Sequence, residues 1–429
     1  MQLRLSRILV AVTTLVALGC SSAPPPTIGL PTASPIPPTA TRPLPTRTAG
    51  PTGTPAPPTA TPLPATDTVC ASGCGFTVIQ AAIDSADASG GSIIEVRDPI
   101  HTEAGIVVDK DVTIRGLGAD RTVVQSHEEL EGSPDRVFLV EEGSTVVVER
   151  LTIRHGRPSA RDDNGGGILN DGTLTVVDCI VTANAANGGA GICSNGALTV
   201  IDSSIRGNVS EGIAQAGLQC GSGAGILSRV GELTVVNSTI SRNQAGSRSK
   251  GTGGGIRVGC KSSAVISNTT ISGNAAVVYG GGVVVMGTAR LVNCTIANNA
   301  SKSEGGGVYV RGALDLLNTI VADNSGTGAS CFLTSKDDRG GAGRIGTNRH
   351  NLIDDGVWDP YLSGDPMLGP LADNGGPTMT HALLPGSPAI DAVPKDGCAL
   401  AVDQRGLPRA FAVTSYDTPC DIGAFEWQP

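Results

Sequence analysis

Aromatic residues are scarce in this chain: they make up 3% of 429 residues, against 59 glycines. A large globular core built on ring packing is thereby excluded, and a thin-walled coil stacked on small aliphatic side chains fits better. No stretch of helical period is long enough for helical repeats, which removes the helical and leucine-rich solenoids. The formal net charge of -9 argues against nucleic acid as a partner, which would need a basic face. No CxxC pair with zinc spacing occurs, and the glycine–aspartate nonapeptides of calcium-binding coils are absent. Neither a cofactor nor a metal is implied.

What is present is one phrase written six times between residues 165 and 324. It opens on a glycine cluster, as in Gly165-Gly166-Gly167 or Gly280-Gly281-Gly282. A β-branched residue follows (Ile168, Ile192, Ile226, Ile256, Val283, Val308), then a second apolar patch such as Leu174-Thr175-Val176. An Asp or Asn comes next (Asp178, Asp202, Asn237, Asn268, Asn293, Asn318), and six residues later an Asn (Asn184, Asn208, Asn243, Asn274, Asn299, Asn324). The third glycines are 24, 34, 30, 27 and 25 residues apart. Such a period with irregular insertions marks a solenoid, and the short β-branched runs choose one turn of a parallel β-helix per repeat. Val181, Ile205, Ile240, Ile271, Ile296 and Val321 are expected to stack inside. The Asn column is expected to form an amide ladder. Gly and Asn both tolerate left-handed backbone, so these positions read as corners. A phosphate cradle needs one such loop opening a helix; here six open strands.

In chain order, Arg4 and Arg7 precede an apolar run from Ile8 to Leu18, a secretory signal too short to span a membrane. Ala17-Leu18-Gly19-Cys20 resembles a bacterial lipobox. Residues 1–19 are then a lipoprotein signal peptide and Cys20 the lipidated residue; an ordinary secreted protein is the alternative. Residues 20–66 form a disordered Pro/Thr-rich stalk, carrying 15 of the 28 prolines. Polyproline stretches at ~3.1 Å per residue would extend it to ~140 Å. The folded part is expected as a parallel β-helix over 67–333 with an N-terminal cap, followed by a C-terminal cap over 334–429. An apolar stripe at Val78, Ile79, Ala82, Ile83 and Ala86 predicts a capping helix over Phe76 to Ala88, stopped by Gly90-Gly91. Six of the eleven aromatics (Trp358, Tyr361, Phe411, Tyr416, Phe425, Trp427) lie in the last segment, where they are expected to close the open end of the coil.

Exported chains permit disulfides, and the short separations favour Cys70 with Cys74, Cys193 with Cys220 and Cys398 with Cys420. Cys179 and Cys294 occupy equivalent positions in different repeats and read as small buried hydrophobes.

Two regions carry a family resemblance. Thr77-Val78-Ile79-Gln80-Ala81-Ala82-Ile83, followed by Val112-Thr113-Ile114-Arg115-Gly116, resembles the opening of bacterial right-handed parallel β-helix proteins with a pectin-lyase-like fold. The tail looks like a choice-of-anchor Q domain, on Asn351-Leu352-Ile353, the run from Asp365-Pro366-Met367 to Gly376-Pro377-Thr378, Leu384-Pro385-Gly386-Ser387-Pro388, Asp403-Gln404-Arg405-Gly406 and Cys420-Asp421-Ile422-Gly423-Ala424-Phe425-Glu426. The resemblance implies an all-β right-handed solenoid at a cell surface. It implies no settled activity.

That fold hosts enzymes on polysaccharides, but fold alone does not decide function. Lyases need acids holding a metal and a base, and hydrolases need two facing carboxylates. The outward position after each glycine cluster holds no acid (Leu169, Cys193, Leu227, Arg257, Val284, Tyr309). Asp178 and Asp202 stack, yet Asn follows in the next four coils, which suits a corner ladder. One insertion gathers the right groups: Arg154-His155-Gly156-Arg157 to Arg161-Asp162-Asp163. His155, Arg161, Asp162 and Asp163 are its candidate catalytic residues; a solvated loop is its other reading. Sugar-stacking aromatics are few along the coils. The sequence therefore leads to a non-catalytic, lipid-anchored surface rod for adhesion or for binding glycan or matrix, with a membrane partner through its lipid. A surface-tethered polysaccharide lyase or glycoside hydrolase is the alternative.

Overall fold

β-Branched residues at alternate positions give a strand one apolar face, and identical short strands stack most closely when they run parallel and in register. The computed structural model describes residues 66–87, 90–159, 164–211, 222–246, 251–328, 330–334, 342–409 and 419–428. One coil consists of four strands, Ile168–Asn170, Thr173–Val177, Ile180–Thr182 and Ala185–Ala186. Within Thr173–Val177 the alternation is visible: Leu174 and Val176 are buried, Thr175 and Val177 half-buried. Val176 lies in register between Val148 of the coil before and Val200 of the coil after.

Repetition builds four columns of strands. The first two merge into an 18-stranded sheet, because Ile226–Val236 and Ile256–Ser267 run through the bend as single strands. The third column is a 10-stranded sheet and the fourth a 6-stranded one. All pairings in these three sheets are parallel; ten rungs at ~4.8 Å each make a rod of roughly 45 Å. The expected aliphatic column is in line: Val181, Ile205, Ile240, Ile271, Ile296 and Val321 are consecutive register partners. All are fully buried. The fold is the parallel β-helix that the repeats imply.

Corners are made by amides. Asn184 Nδ2 donates to Asn208 Oδ1 at 3.0 Å, and the relay continues through Asn243, Asn274 and Asn299 to Asn324 at 2.9–3.0 Å. Each Oδ1 also accepts the backbone N–H of the preceding Asn, as Asn274 does from Asn243 at 3.0 Å. This ladder explains the third glycine of each cluster. A Cβ on Gly167 would lie 3.0 Å from Asn184 Nδ2 and 2.6 Å from the Gly191 carbonyl.

The N-terminal edge is closed by three devices. Thr66–Val69 pairs with Ser92–Val96, and the Cys70–Cys74 disulfide loop returns Phe76 to bridge Val69. The helix Ile79–Ser85 then buries Ile79, Ala82 and Ile83 over the coil interior. It is shorter than the expected 76–88, because Phe76 is taken by the bridge and Ala86 is already extended. Side chains from the coils hold both its ends. Glu103 accepts the N–H groups of Ile79 and Gln80 at 2.6 and 2.9 Å. Lys110 Nζ donates to the carbonyls of Ile83, Asp84 and Ala86.

At the far end, coil strands continue through Arg344–Arg349 and Leu352–Ile353, and Val357 and Trp358 pack against the coil interior. The remaining tail does something the sequence did not announce. It turns back and lies along the third column, with the antiparallel pair Leu368–Ala372 and Thr380–Leu383. Its small core joins Leu383, Ala389, Val393, Ile422 and Phe425 to Ile320, Ala322 and Leu352 of the rod. Of the six tail aromatics, Trp358 closes the end, while Phe425 and Trp427 belong to this flank. Tyr361 is 53% exposed, and Phe411 and Tyr416 lie outside the described residues.

Candidate functional site

The insertion with catalytic-type residues is only partly described; Arg161, Asp162 and Asp163 lie outside the described residues. Its described side chains are engaged in structural contacts. His155, at a left-handed corner with φ 59°, has Nδ1 3.1 Å from the His127 carbonyl. Arg154 Nε donates to Gln125 Oε1 at 2.8 Å, and Arg157 pairs with Glu211 at 2.9 Å. Among the described residues no group of three His, Cys, Asp or Glu side chains is arranged to hold a metal ion.

Asp178 and Asp202 stand at left-handed corners with φ of 50° and 48°, the same conformation as Asn237, Asn268, Asn293 and Asn318 below them. Burial raises the Asp178 carboxyl above its usual range; Arg150 opposes the rise, while Asp202, Asp120 and Glu149 add to it.

Disulfides Cys70–Cys74 and Cys398–Cys420 are formed. The expected Cys193–Cys220 pair is not: Cys193 is a buried free thiol. Its strand holds it in register between Leu169 and Leu227 on the first column, where it serves as a small apolar side chain. Cys220 lies outside the described residues, and Cys260 is disulfide-bonded. Cys179 and Cys294 are buried as expected, within a hydroxyl column not foreseen. The N–H of Cys179 donates to Ser203 Oγ, that of Ser203 to Ser238 Oγ, and that of Cys294 to Thr319 Oγ1. Burial pushes the Cys179, Cys193 and Cys294 thiols up to about 12, and Cys331 well above its usual value. None is a nucleophile near neutral pH.

On the first column, the positions expected to face outward are mostly covered. Cys193, Leu227 and Val284 are buried and Tyr309 is 8% exposed. The glycine clusters run over them; a Cβ on Gly189 would lie 2.6 Å from Cys193 Cβ. There, aromatics gather that the sequence spacing concealed. Tyr279 stacks on Tyr309 at 4.6 Å between ring centroids, and Tyr309 on Phe332 at 5.6 Å. Tyr309 thus has a ring on each side, which makes the trio a packing element.

The second column presents a different surface. Its outward positions on four successive rungs are Thr173, Thr175 and Val177, then Ala197, Thr199 and Ile201, then Glu232, Thr234 and Val236, then Ser263, Val265 and Ser267. These side chains are exposed or half-buried, and Glu232 is the one charge among them. The Arg115–Glu149 ion pair precedes this face.

Between tail and third column lies a dense polar cluster. Thr270 Oγ1 donates to Gln404 Oε1 at 2.7 Å, and Gln404 Nε2 donates to Thr378 Oγ1 at 2.8 Å and the Met379 carbonyl at 3.0 Å. Ser272 Oγ lies 2.8 Å from His381 Nε2, whose Nδ1 is 2.7 Å from the Gly369 carbonyl. Arg409 pairs with Glu426 at 3.2 Å and donates to Asn268 Oδ1 at 3.0 Å. Arg405 pairs with Asp403 at 2.7 Å and lies over the Phe425 ring at 3.7 Å. Burial lowers the His381 pKa, against the Gly369 carbonyl and Asp323, so docking the tail disfavours the charged ring. The tail motifs quoted above thus supply a lock. A signal for it existed in the rod: outward third-column residues change from Arg154 and Arg206 to the buried Thr239, Ser241, Thr270, Ser272 and Thr295.

No family model matches the chain, and no curated protein matches it. Among solved structures it is similar to pectate lyase Pel9A at 14% identity, over 85% of this chain and 98% of that one, with a TM-score of 0.45. It is also similar to pectin methylesterase PemA from Erwinia chrysanthemi, at 14% identity over 75% and 86% of the two chains, with a TM-score of 0.32. The Dettilon tailspike protein matches at 13% identity over 67% and 64%, with a TM-score of 0.33. At these identities and scores no activity, substrate or partner passes from them to this chain; its coil rests on its own strand registers.

Proposed function

We propose that this chain is a non-catalytic display rod, held at a bacterial surface by a lipid on Cys20 and the 20–66 stalk, that binds neutral extracellular glycan or matrix. The choice-of-anchor Q likeness of the tail belongs to the same reading. The observation that carries it is the Thr/Val face of the second column. Over these four rungs threonine hydroxyls and methyls lie in rows ~4.8 Å apart, with charges at their borders, Glu149 on one side and Arg290 on the other. A stretch with one charge suits a long, repeating, uncharged partner, which offers alternating hydroxyl and C–H surface. It is a poor fit for catalysis, which needs convergent groups around one bond.

The test is incubation of the purified folded part with a panel of neutral and acidic polysaccharides, reading retention and cleavage separately. Retention on neutral polymers without cleavage is expected. Cleavage of any polymer, or retention confined to acidic ones, overturns the proposal. The anchor is tested by Cys20→Ala in a bacterial host: release from the membrane fraction is expected, and continued retention refutes the lipid.

A further inference from the structure

We propose that the tail is a proton-linked clamp: docking it on the rod takes up one proton, held among Asp403, Asp421 and Glu426. Three carboxylates and two guanidinium groups, Arg405 and Arg409, are buried together there. The count leaves one negative charge in excess in a place shielded from water, and a buried surplus charge is relieved by binding a proton.

Geometry says which carboxylate holds it. Asp403 is met by Arg405, and Glu426 by Arg409. Asp421 is met by the backbone N–H groups of Asp391 and Trp427, without a guanidinium bonded to its carboxylate. Glu426 and Asp391 act on its charge, Arg409 interacts with it as with Asp403 and Glu426, and among the described residues the rod meets this part of the tail through the neutral Asn268, Thr295 and Asn318. Burial, reinforced by Glu426, pushes the Asp421 carboxyl up to about 7. The core between tail and rod, which includes Ile320, Ala322 and Leu352, is separate from the coil interior, so the tail can open while the coil stays folded.

The sign follows from linkage. A carboxyl whose pKa is raised in the docked state contributes fully below its free value near 3.8, and that contribution is lost as pH rises through about 7. His381 acts oppositely. Its lowered pKa gives a contribution present above 6.5 and lost as pH falls below it.

Hydrogen exchange of the whole chain, with intrinsic rates divided out, decides the matter between pH 5 and 7. In the His381→Gln variant, protection of the tail amides of Val393, Gln404 and Cys420 is expected to fall about tenfold per pH unit. Protection of the rod amides of Asn243 and Asn274 should stay level. The wild-type chain should show a shallower fall, and the double variant Asp421→Asn, His381→Gln a flat profile. Level tail protection in both the wild-type and His381→Gln chains overturns the proposal, as does a tail that follows the rod.

Discussion

Thr270 and Gln404 are 134 residues apart in sequence and 2.7 Å apart in space, hydroxyl to amide oxygen, both fully buried. This one bond joins the third column of the rod to the tail that lies along it. Replacing Gln404 by Leu keeps the volume and strands the hydroxyl of Thr270, while Thr378 still donates to the Asn237 carbonyl. A buried unpaired group costs about 1–3 kcal/mol, and a loss of that size is expected. Urea unfolding followed by tryptophan fluorescence and by amide exchange should place that loss in the tail, with the rod's midpoint unmoved.

The amide ladder makes a second prediction. Asn243→Asp keeps the shape but removes the Nδ2 donor that reaches Asn274 Oδ1 at 2.9 Å and the Ile205 carbonyl at 2.9 Å. A carboxylate there would be buried without a cation. Destabilisation of about 3 kcal/mol or more is expected at pH 7, partly recovered in acid, and Asn243→Ala should fall between the two. Chemical denaturation of the rod checks this.

Inside the coil, Ile240→Ala removes a fully buried side chain between Ile205 and Ile271. The cost is expected at about 2–5 kcal/mol. Local exchange should rise most in the adjacent coils, as expected where each repeat contacts its neighbours alone.

On the open face, Thr199→Lys and Thr234→Lys alter half-buried outward positions. Stability should change by no more than about 0.5 kcal/mol, while retention on neutral polysaccharide falls at least several-fold. Equal loss of both would place these residues in the fold instead.

Acid should weaken the N-terminal cap. Burial works against the Glu103 charge, but the hydrogen bond from His101 and the N–H groups of Gln80 and Ile79 outweigh it and hold its pKa below 4.5. That contribution is present above the unfolded value and lost as pH falls through the folded one. Exchange at Ile79 and Gln80 should therefore accelerate below about pH 4.5 in the wild-type chain. In Glu103→Gln the amide oxygen keeps one of the two N–H donors and the other loses its acceptor, so the cap is weaker at every pH and the acid response should vanish.

The coil was legible because its rules are local and repeated. Each rung states the same alternation, so the column from Val181 to Val321 and the ladder from Asn184 to Asn324 could be read from spacing. The disulfides joining Cys70 to Cys74 and Cys398 to Cys420 were legible from their short separations in sequence. The helix was placed too long because its stripe at Val78 to Ala86 does not reveal that Phe76 pairs with Val69. Cys193 was misread because a short separation to another cysteine says nothing of which face a strand presents. The trio of Tyr279, Tyr309 and Phe332 comes from a loop and two rungs with no common period. Least legible was the tail's position. Asn268 to Arg409 and Thr270 to Gln404 are long-range pairs, and sequence carries their partners only as small, uncharged outward residues on Thr239 to Thr295.

Among the described residues, the flank covered by the tail begins at Thr239 and ends near Leu352, and the coils from Thr152 to Arg206 carry no such cover from it. Evolution is therefore free to lengthen the rod at one end and gauged at the other. A coil added ahead of Ser204 would move the cap outward and leave every tail bond in place. The same coil added between Thr239 and Thr295 would slide Gln404 and Ala424 out of reach of one or other threonine by ~4.8 Å, so related proteins of different length should differ on the cap side.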